Sequence, residues 1–245
     1  MNDNINLSKL ICTERNKIAF YDCDYKARIK MSTILKLAAE VAGQDYTERG
    51  LGHRFLWDNG YVFLVSRMSV NIHRYPTQKE YLDVKTWECG KQGAMFLRGY
   101  DFVDEKGEVC IEAISGWIVV NPISRKIYRP SQFPWLMLQF DDKIPDTIPM
   151  GKIEGESFIK IGEHIVRIPD LDANGHLYNA FYADIAVEFM PTEIYERDLR
   201  NFRINFVNEA KLGDTIELFL EDTKEKVVVF GTVDGKKCFE CEYIY

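Results

Sequence analysis

The chain has 245 residues, 46% of them hydrophobic and 28% charged, the profile of an ordinary globular protein with one large or two small domains. Its formal net charge of −7 weighs against a broad nucleic-acid surface, and no apolar run approaches the roughly 18 residues that a membrane span requires. The polar start, with Asp3 inside it, has the character of neither a signal peptide nor a transit peptide, so the cytoplasm is the expected compartment. Six cysteines, at positions 12, 23, 89, 110, 238 and 241, are too sparse for a disulfide framework. Cys238 and Cys241 stand three apart in a segment that alternates like a strand, which points the two thiols to opposite faces. No metal-ligand spacing such as His-x-x-x-His is present, and neither a metal nor a cofactor is expected.

A weak internal repeat organises the chain. Residues 18–41 and 166–189 align at an offset of 148, setting Asp22 on Asp170, Asp24 on Asp172, Ile29 on Leu177, Leu37 on Ile185, Ala38 on Ala186 and Glu40 on Glu188. Each copy reads as a short strand, a polar turn and a helix. Helical spacing shows at Met31, Ile34, Leu35, Ala38 and Ala42, and again at Leu177, Phe181, Ile185, Ala186 and Phe189. Gly50 and Gly52 follow the first helix, and Pro191 lies near the end of the second. Period-two alternation predicts strands over 62–72, 81–87, 95–103 and 109–121, then over 202–207, 215–221, 227–233 and 237–245. Residues 104–107 and 234–235 read as matching hairpin turns. Prolines 130, 134, 145 and 149 mark a linker between the copies, dividing the chain into repeat 1–130, linker 131–151 and repeat 152–245.

A helix followed by antiparallel strands buries both apolar faces only if the sheet wraps the helix, which is the hot-dog arrangement. The expected fold is therefore α+β: two tandem hot-dog repeats, each a long helix wrapped by an antiparallel sheet, with the sheets paired into one. The repeats satisfy the dimer geometry internally, so a monomer and a homodimer are both compatible with the sequence.

The densest set of chemically capable side chains is residues 170–179, Asp-Leu-Asp-Ala-Asn-Gly-His-Leu-Tyr-Asn, on the turn feeding the second helix. A turn entering a helix offers unpaired backbone N–H groups. Thioester hydrolysis needs such donors for the charge that develops on the carbonyl oxygen, and a His, Asp or Glu to position or deprotonate water. Plain helix capping is the competing reading, and it is preferred for Asp170, which Asp22 matches. Asn174 and His176 are where the copies part, with Lys26 and Arg28 in their places; Asp172 is matched by Asp24. His53, His73 and His164 lie outside any such cluster and read as structural or exposed.

The chain resembles the acyl-acyl carrier protein thioesterases of plastids and bacteria. Their C-terminal repeat carries Asp-x-Asn-x-His-Val-Asn-Asn followed by a Tyr three residues on; here Asp172-Ala-Asn174-Gly-His176-Leu-Tyr178-Asn179 is followed by Tyr182. The family's Glu, about 34 residues after the His and usually followed by Cys, corresponds to Glu209, 33 residues on (209 − 176) and followed by Ala210. Residues 60–67, Arg74-Tyr75-Pro76, residues 84–87, and Ser115-Gly116-Trp117 through Asn121 to Arg125 look like the family's first repeat. The resemblance thus runs from about Ile18 to Tyr245. Tyr178, Ile185 and Ala210 depart from the family's Asn, Trp and Cys, and the last leaves no thiol to act as nucleophile there.

The resemblance implies hydrolysis of a fatty acyl thioester on acyl carrier protein, with the site formed by Asp172, Asn174, His176 and Glu209. His176 and Glu209 would activate or hold water, and Asn174 would polarise the carbonyl. Asp172 would orient Asn174, serve as base or attack the carbonyl itself, and the sequence leaves these three roles open. The first helix and residues 61–68 would wall an acyl pocket in a non-catalytic first repeat. An acidic carrier needs a basic landing site, for which Arg125-Lys126 with Arg129, Lys224 and Lys226, Lys236-Lys237, or Lys26, Arg28 and Lys30 are the candidates. The alternatives are an acyl-coenzyme A thioesterase on the same fold, a dehydratase, or an acyl-binding module without turnover.

Overall fold

The computed structural model describes residues 11–135, 137 and 143–245. The first half contains β1 (Cys12–Lys17), α1 (Met31–Glu48), α2 (His53–Asp58), β2 (Val62–Ile72), β3 (Tyr81–Gln92), β4 (Met95–Val103), β5 (Val109–Val120) and β6 (Ile127–Tyr128). The second contains β7 (Ile159–Ile165), α3 (Phe181–Glu188), α4 (Thr192–Tyr195), β8 (Asn201–Phe206), β9 (Thr215–Asp222), β10 (Lys226–Val233) and β11 (Lys236–Ile244).

Among the described residues the strands form one antiparallel sheet in the order β1-β3-β4-β5-β2-β8-β11-β10-β9-β7, with β6 added beside β5. That order reads the same from either end once β1 is matched with β7, β3 with β9, β4 with β10, β5 with β11 and β2 with β8. A pseudo-two-fold axis therefore passes between β2 and β8, where Met68 faces Ile204 and Val70 faces Phe202, all four buried. Two hot-dog repeats thus share a continuous sheet, in place of the exposed edges that separate repeats would present.

α1 lies against this sheet because Ile34, Leu35, Ala38, Val41 and Ala42 recur at three- and four-residue intervals, and all are buried. Burying one such isoleucine stabilises the fold by roughly 1.5–3 kcal/mol. At the helix C-terminal end the core becomes ionic. Arg49 contacts Asp45 at 2.8 Å and Glu88 at 2.6 Å, Arg98 contacts Asp45 at 2.7 Å, and all four residues are buried. Both guanidinium groups also lie over the Tyr46 ring, 4.7 and 5.1 Å from its centroid.

The structure adds α2, α4 and β6, which the sequence pattern does not predict, and shifts other elements. The opening strand of each copy lies just upstream of the aligned segments, at β1 and β7. α3 has 8 residues against 18 in α1. Pro191 closes its far end, because proline cannot continue a helical hydrogen-bond ladder. On the near side the Leu177 N–H is drawn to the Ala210 carbonyl at 3.1 Å and Leu171 bridges Leu177, so residues 171–177 fold as a tight hairpin-like turn.

The proline-rich stretch crosses the seam of the sheet. Ser69 Oγ donates to the Ile148 carbonyl at 2.7 Å, Asn71 Nδ2 to that of Asp146 at 2.8 Å, and Asn205 Nδ2 to that of Gly151 at 2.9 Å. Residues 136 and 138–142 of the expected linker lie outside the described residues. No helix among the described residues is long and apolar enough to cross a membrane. Cys238 and Cys241 are both buried free thiols.

Candidate active site

The turn that carries Asp172, Asn174 and His176 is organised by the Asp172 carboxylate. Its Oδ1 accepts the backbone N–H groups of Asn174 at 2.8 Å and His176 at 3.1 Å, and the Asp172 N–H returns to the His176 carbonyl at 2.8 Å. The Asn174 Nδ2 stands 3.4 Å from the other carboxylate oxygen. Gly175 completes the turn with φ +79°, a left-handed conformation that costs glycine little. α3 begins only at Phe181, so the three side chains project from this turn and not from the first turn of the helix.

Glu209 lies three residues beyond β8 and is brought to the turn by backbone bonds. The Leu177 N–H donates to the Ala210 carbonyl, and the Ala210 N–H donates to the buried Tyr182 hydroxyl at 3.1 Å. As a result Glu209 Oε2 stands 3.6 Å from His176 Nε2, too long for a direct hydrogen bond and within the reach of a single bridging water. Both side chains remain about one-third exposed, at 32% and 34%. Burial raises the Tyr182 hydroxyl well above its ordinary pKa and so keeps it neutral. Ala210 is itself fully buried.

The structure brings all four sequence-predicted residues to one cavity of about 470 Å³. Its opposite wall comes from the first repeat: Leu64, Val65 and Ser66 of β2, where a bulge interrupts the register, and Arg125 from the β5–β6 turn. Arg125 Nη2 contacts Glu209 Oε1 at 2.5 Å. Its sequence signals are a basic run and its place at the end of a family-like segment, with nothing to set it against Glu209. A smaller cavity of about 60 Å³ shares Val65, Asn179 and Phe206 with this site. It shares Ala39 and Trp117 with a third cavity, of about 190 Å³, which lies between α1 and β2 and is bounded by Glu88 and Arg98.

The pseudo-symmetric place is built differently. Asp24 Oδ1 accepts the N–H groups of Lys26 at 2.8 Å and Arg28 at 3.0 Å, repeating the Asp172 turn. Its Oδ2 is held by the Arg28 guanidinium at 3.1 Å and the Tyr195 hydroxyl at 3.3 Å. Arg28 lies 4.8 Å over the ring of Tyr75, which stands where the other copy has Glu209. His164, which lies outside the cluster in sequence, sits between Glu188 at 2.7 Å and Asp170 at 3.2 Å. Among the described residues no group of three or more His, Cys, Asp or Glu side chains is arranged to hold a metal ion.

Residues 9–131 match the model for the acyl-ACP thioesterase N-terminal domain, and residues 155–236 match the one for the C-terminal domain. The chain belongs to the acyl-ACP thioesterase family. Among relatives, it is 29% identical over 225 residues to an acyl-[acyl-carrier-protein] hydrolase of Cuphea viscosissima, covering 85% of this chain and 54% of that protein. It is 24% identical to the palmitoyl-acyl carrier protein thioesterase of Arabidopsis thaliana, over 94% of this chain and 59% of that one. The chain therefore spans about half the length of these relatives. An acyl-ACP thioesterase from Bacteroides thetaiotaomicron superposes with a TM-score of 0.88 at 21% identity, over 96% of this chain and 97% of the other. The 12:0-ACP thioesterase from Umbellularia californica gives 0.77 at 17% identity, over 98% of each. At such identities these acyl-ACP thioesterase structures establish the shared fold.

Proposed function

We propose that this protein hydrolyses the thioester of a fatty acyl chain carried on acyl carrier protein, releasing the fatty acid and the carrier thiol. The observation that carries the reading is the His176–Glu209 pair, separated by 3.6 Å beside Asn174. This pair faces a cavity that borders apolar space in the first repeat. A water hydrogen-bonded beside the two side chains attacks the thioester carbon as Glu209 accepts its proton. The carbonyl oxygen becomes an oxyanion beside the Asn174 side-chain amide, the C–S bond then breaks, and the proton taken up by Glu209 passes by way of His176 to the departing sulfur. Asp172 organises the turn. Its Oδ1 is committed to two backbone N–H groups, and Asp24 makes the same two bonds in the copy that lacks the acid–base pair. The cavities lined by α1 and β2 accommodate the acyl chain.

Fatty acid release from a chain-length series of acyl carrier protein thioesters, beside matched coenzyme A thioesters, tests the reaction and its carrier. Glu209→Gln is expected to lower kcat by about 100-fold with little change in KM, since the amide keeps size but not basicity. Absence of release from every thioester refutes the hydrolytic reading. Full activity of Glu209→Gln refutes the role given to Glu209.

A further inference from the structure

The geometry points to Arg125 as a positioning residue for Glu209, lent to the second repeat's site by the first. This inference rests on the hydrolytic role proposed for Glu209. One oxygen of the Glu209 carboxylate is held: Oε1 pairs with Arg125 Nη2 at 2.5 Å, while Oε2 stands 3.6 Å from His176 Nε2. Glu209 belongs to a short exposed segment beyond the end of β8, where a free carboxylate has several rotamers open to it. Pairing one oxygen with a planar guanidinium removes that freedom and leaves the other oxygen directed at the imidazole.

The turn that carries Arg125 is built without its side chain. Asn121 Oδ1 accepts the N–H groups of Ile123 at 3.1 Å and Ser124 at 2.9 Å, and the Asn121 carbonyl accepts the Arg125 N–H at 2.9 Å. Arg125 itself has φ +59°, a conformation unfavourable for a side chain-bearing residue, and its side chain is 54% exposed. Neither the turn nor the core requires an arginine there, and the contact it makes is with Glu209. Arg125 therefore acts through Glu209: it fixes the orientation of the base and takes no proton itself.

The test is a double-mutant cycle joined to a measurement that does not depend on turnover. Arg125→Met should lower kcat at least ~10-fold with KM nearly unchanged, the scale of a misoriented reacting group, and Arg125→Lys should recover part of that loss. In a Glu209→Gln background Arg125→Met should have almost no further effect, because the two residues act as one unit. By NMR, the ring resonances of His176, assigned by their loss in His176→Gln, should move in Arg125→Met and stay in place in Lys126→Met. Wild-type kcat in Arg125→Met, equal losses in both backgrounds, or unmoved His176 resonances would overturn the assignment. If the wild-type protein hydrolyses no thioester, the resonances still decide whether Arg125 orients Glu209 against His176, so the two ideas fail separately.

Discussion

The Tyr182 hydroxyl oxygen accepts the backbone N–H of Ala210 at 3.1 Å, one residue past Glu209. Helix α3 and the Glu209 segment are thereby joined through a buried polar contact. Tyr182→Phe leaves that N–H without a partner, at a cost of about 1–3 kcal/mol. It should lower the unfolding midpoint and reduce kcat more than it changes KM. Unchanged thermal unfolding together with unchanged kcat would show that the contact positions nothing.

The two turns should differ in chemistry. His176→Ala and Asn174→Ala are each expected to reduce kcat by at least ~100-fold, the scale of an acid–base or oxyanion group. Lys26→Ala and Arg28→Ala should leave kcat within a few-fold of wild type, since Arg28 is occupied by Asp24 and Tyr75. Steady-state kinetics on folded variants decides this, and equal losses in the two sets would refute a single competent turn.

No cysteine should serve as nucleophile. Burial raises the thiols of Cys89 and Cys238 to about 11 and about 12, and that of Cys241 well above the ordinary range. Iodoacetamide at mildly alkaline pH should leave Cys238 and Cys241 unmodified in the native protein, read by peptide mass spectrometry, with activity retained. A trapped acyl-cysteine would contradict the water-based route.

Ala39 lines both the small cavity beneath Asn179 and the larger one beside Tyr46. Ala39→Leu should obstruct the passage between them. Release of the shorter acyl chains should survive while that of the longer ones falls by about 10-fold or more, because the extra methyl groups occupy space that the chain needs. A uniform decrease across the chain-length series would remove this junction from the acyl path.

The ionic cluster at the end of α1 should be costly to break. Glu88→Gln and Arg98→Met each leave buried charge uncompensated, a loss of about 3–5 kcal/mol in urea-induced unfolding. Replacing Arg98 and Glu88 together with apolar side chains should cost less than the sum of the singles. Additive losses would show that the two side chains do not interact.

Much of this was legible in the chain itself, for reasons that differ by element. Alternation gave the strands over 62–72 and 95–103 with the bounds of β2 and β4, because their side chains divide between two faces of a pleated sheet. α3 was harder to place, since Leu177 has helical spacing yet its N–H is taken by Ala210 from a strand end more than thirty residues away in sequence. Local sequence carries no trace of that competition. Asp172, Asn174 and His176 stand out because they share one short run, and Asn174 and His176 also because their counterparts Lys26 and Arg28 lack the chemistry, whereas Asp172 is matched by Asp24. Glu209 is marked in the sequence only by the family's spacing. The Arg125 contact joins residues 84 apart in sequence, and the relation exists only once β2 and β8 pair.

The tandem arrangement also fixes the stoichiometry of response. In a symmetric homodimer every substitution appears at both related places. Here the Asp24 turn carries Lys26 and Arg28 while the Asp172 turn keeps Asn174 and His176. On the proposed function only the Asp172 turn is competent, and active-site titration should then approach one equivalent per chain. On that reading the Asp24 turn offers no second centre to influence the first. Any sigmoidal dependence on substrate would have to arise between separate molecules, and dilution should abolish it.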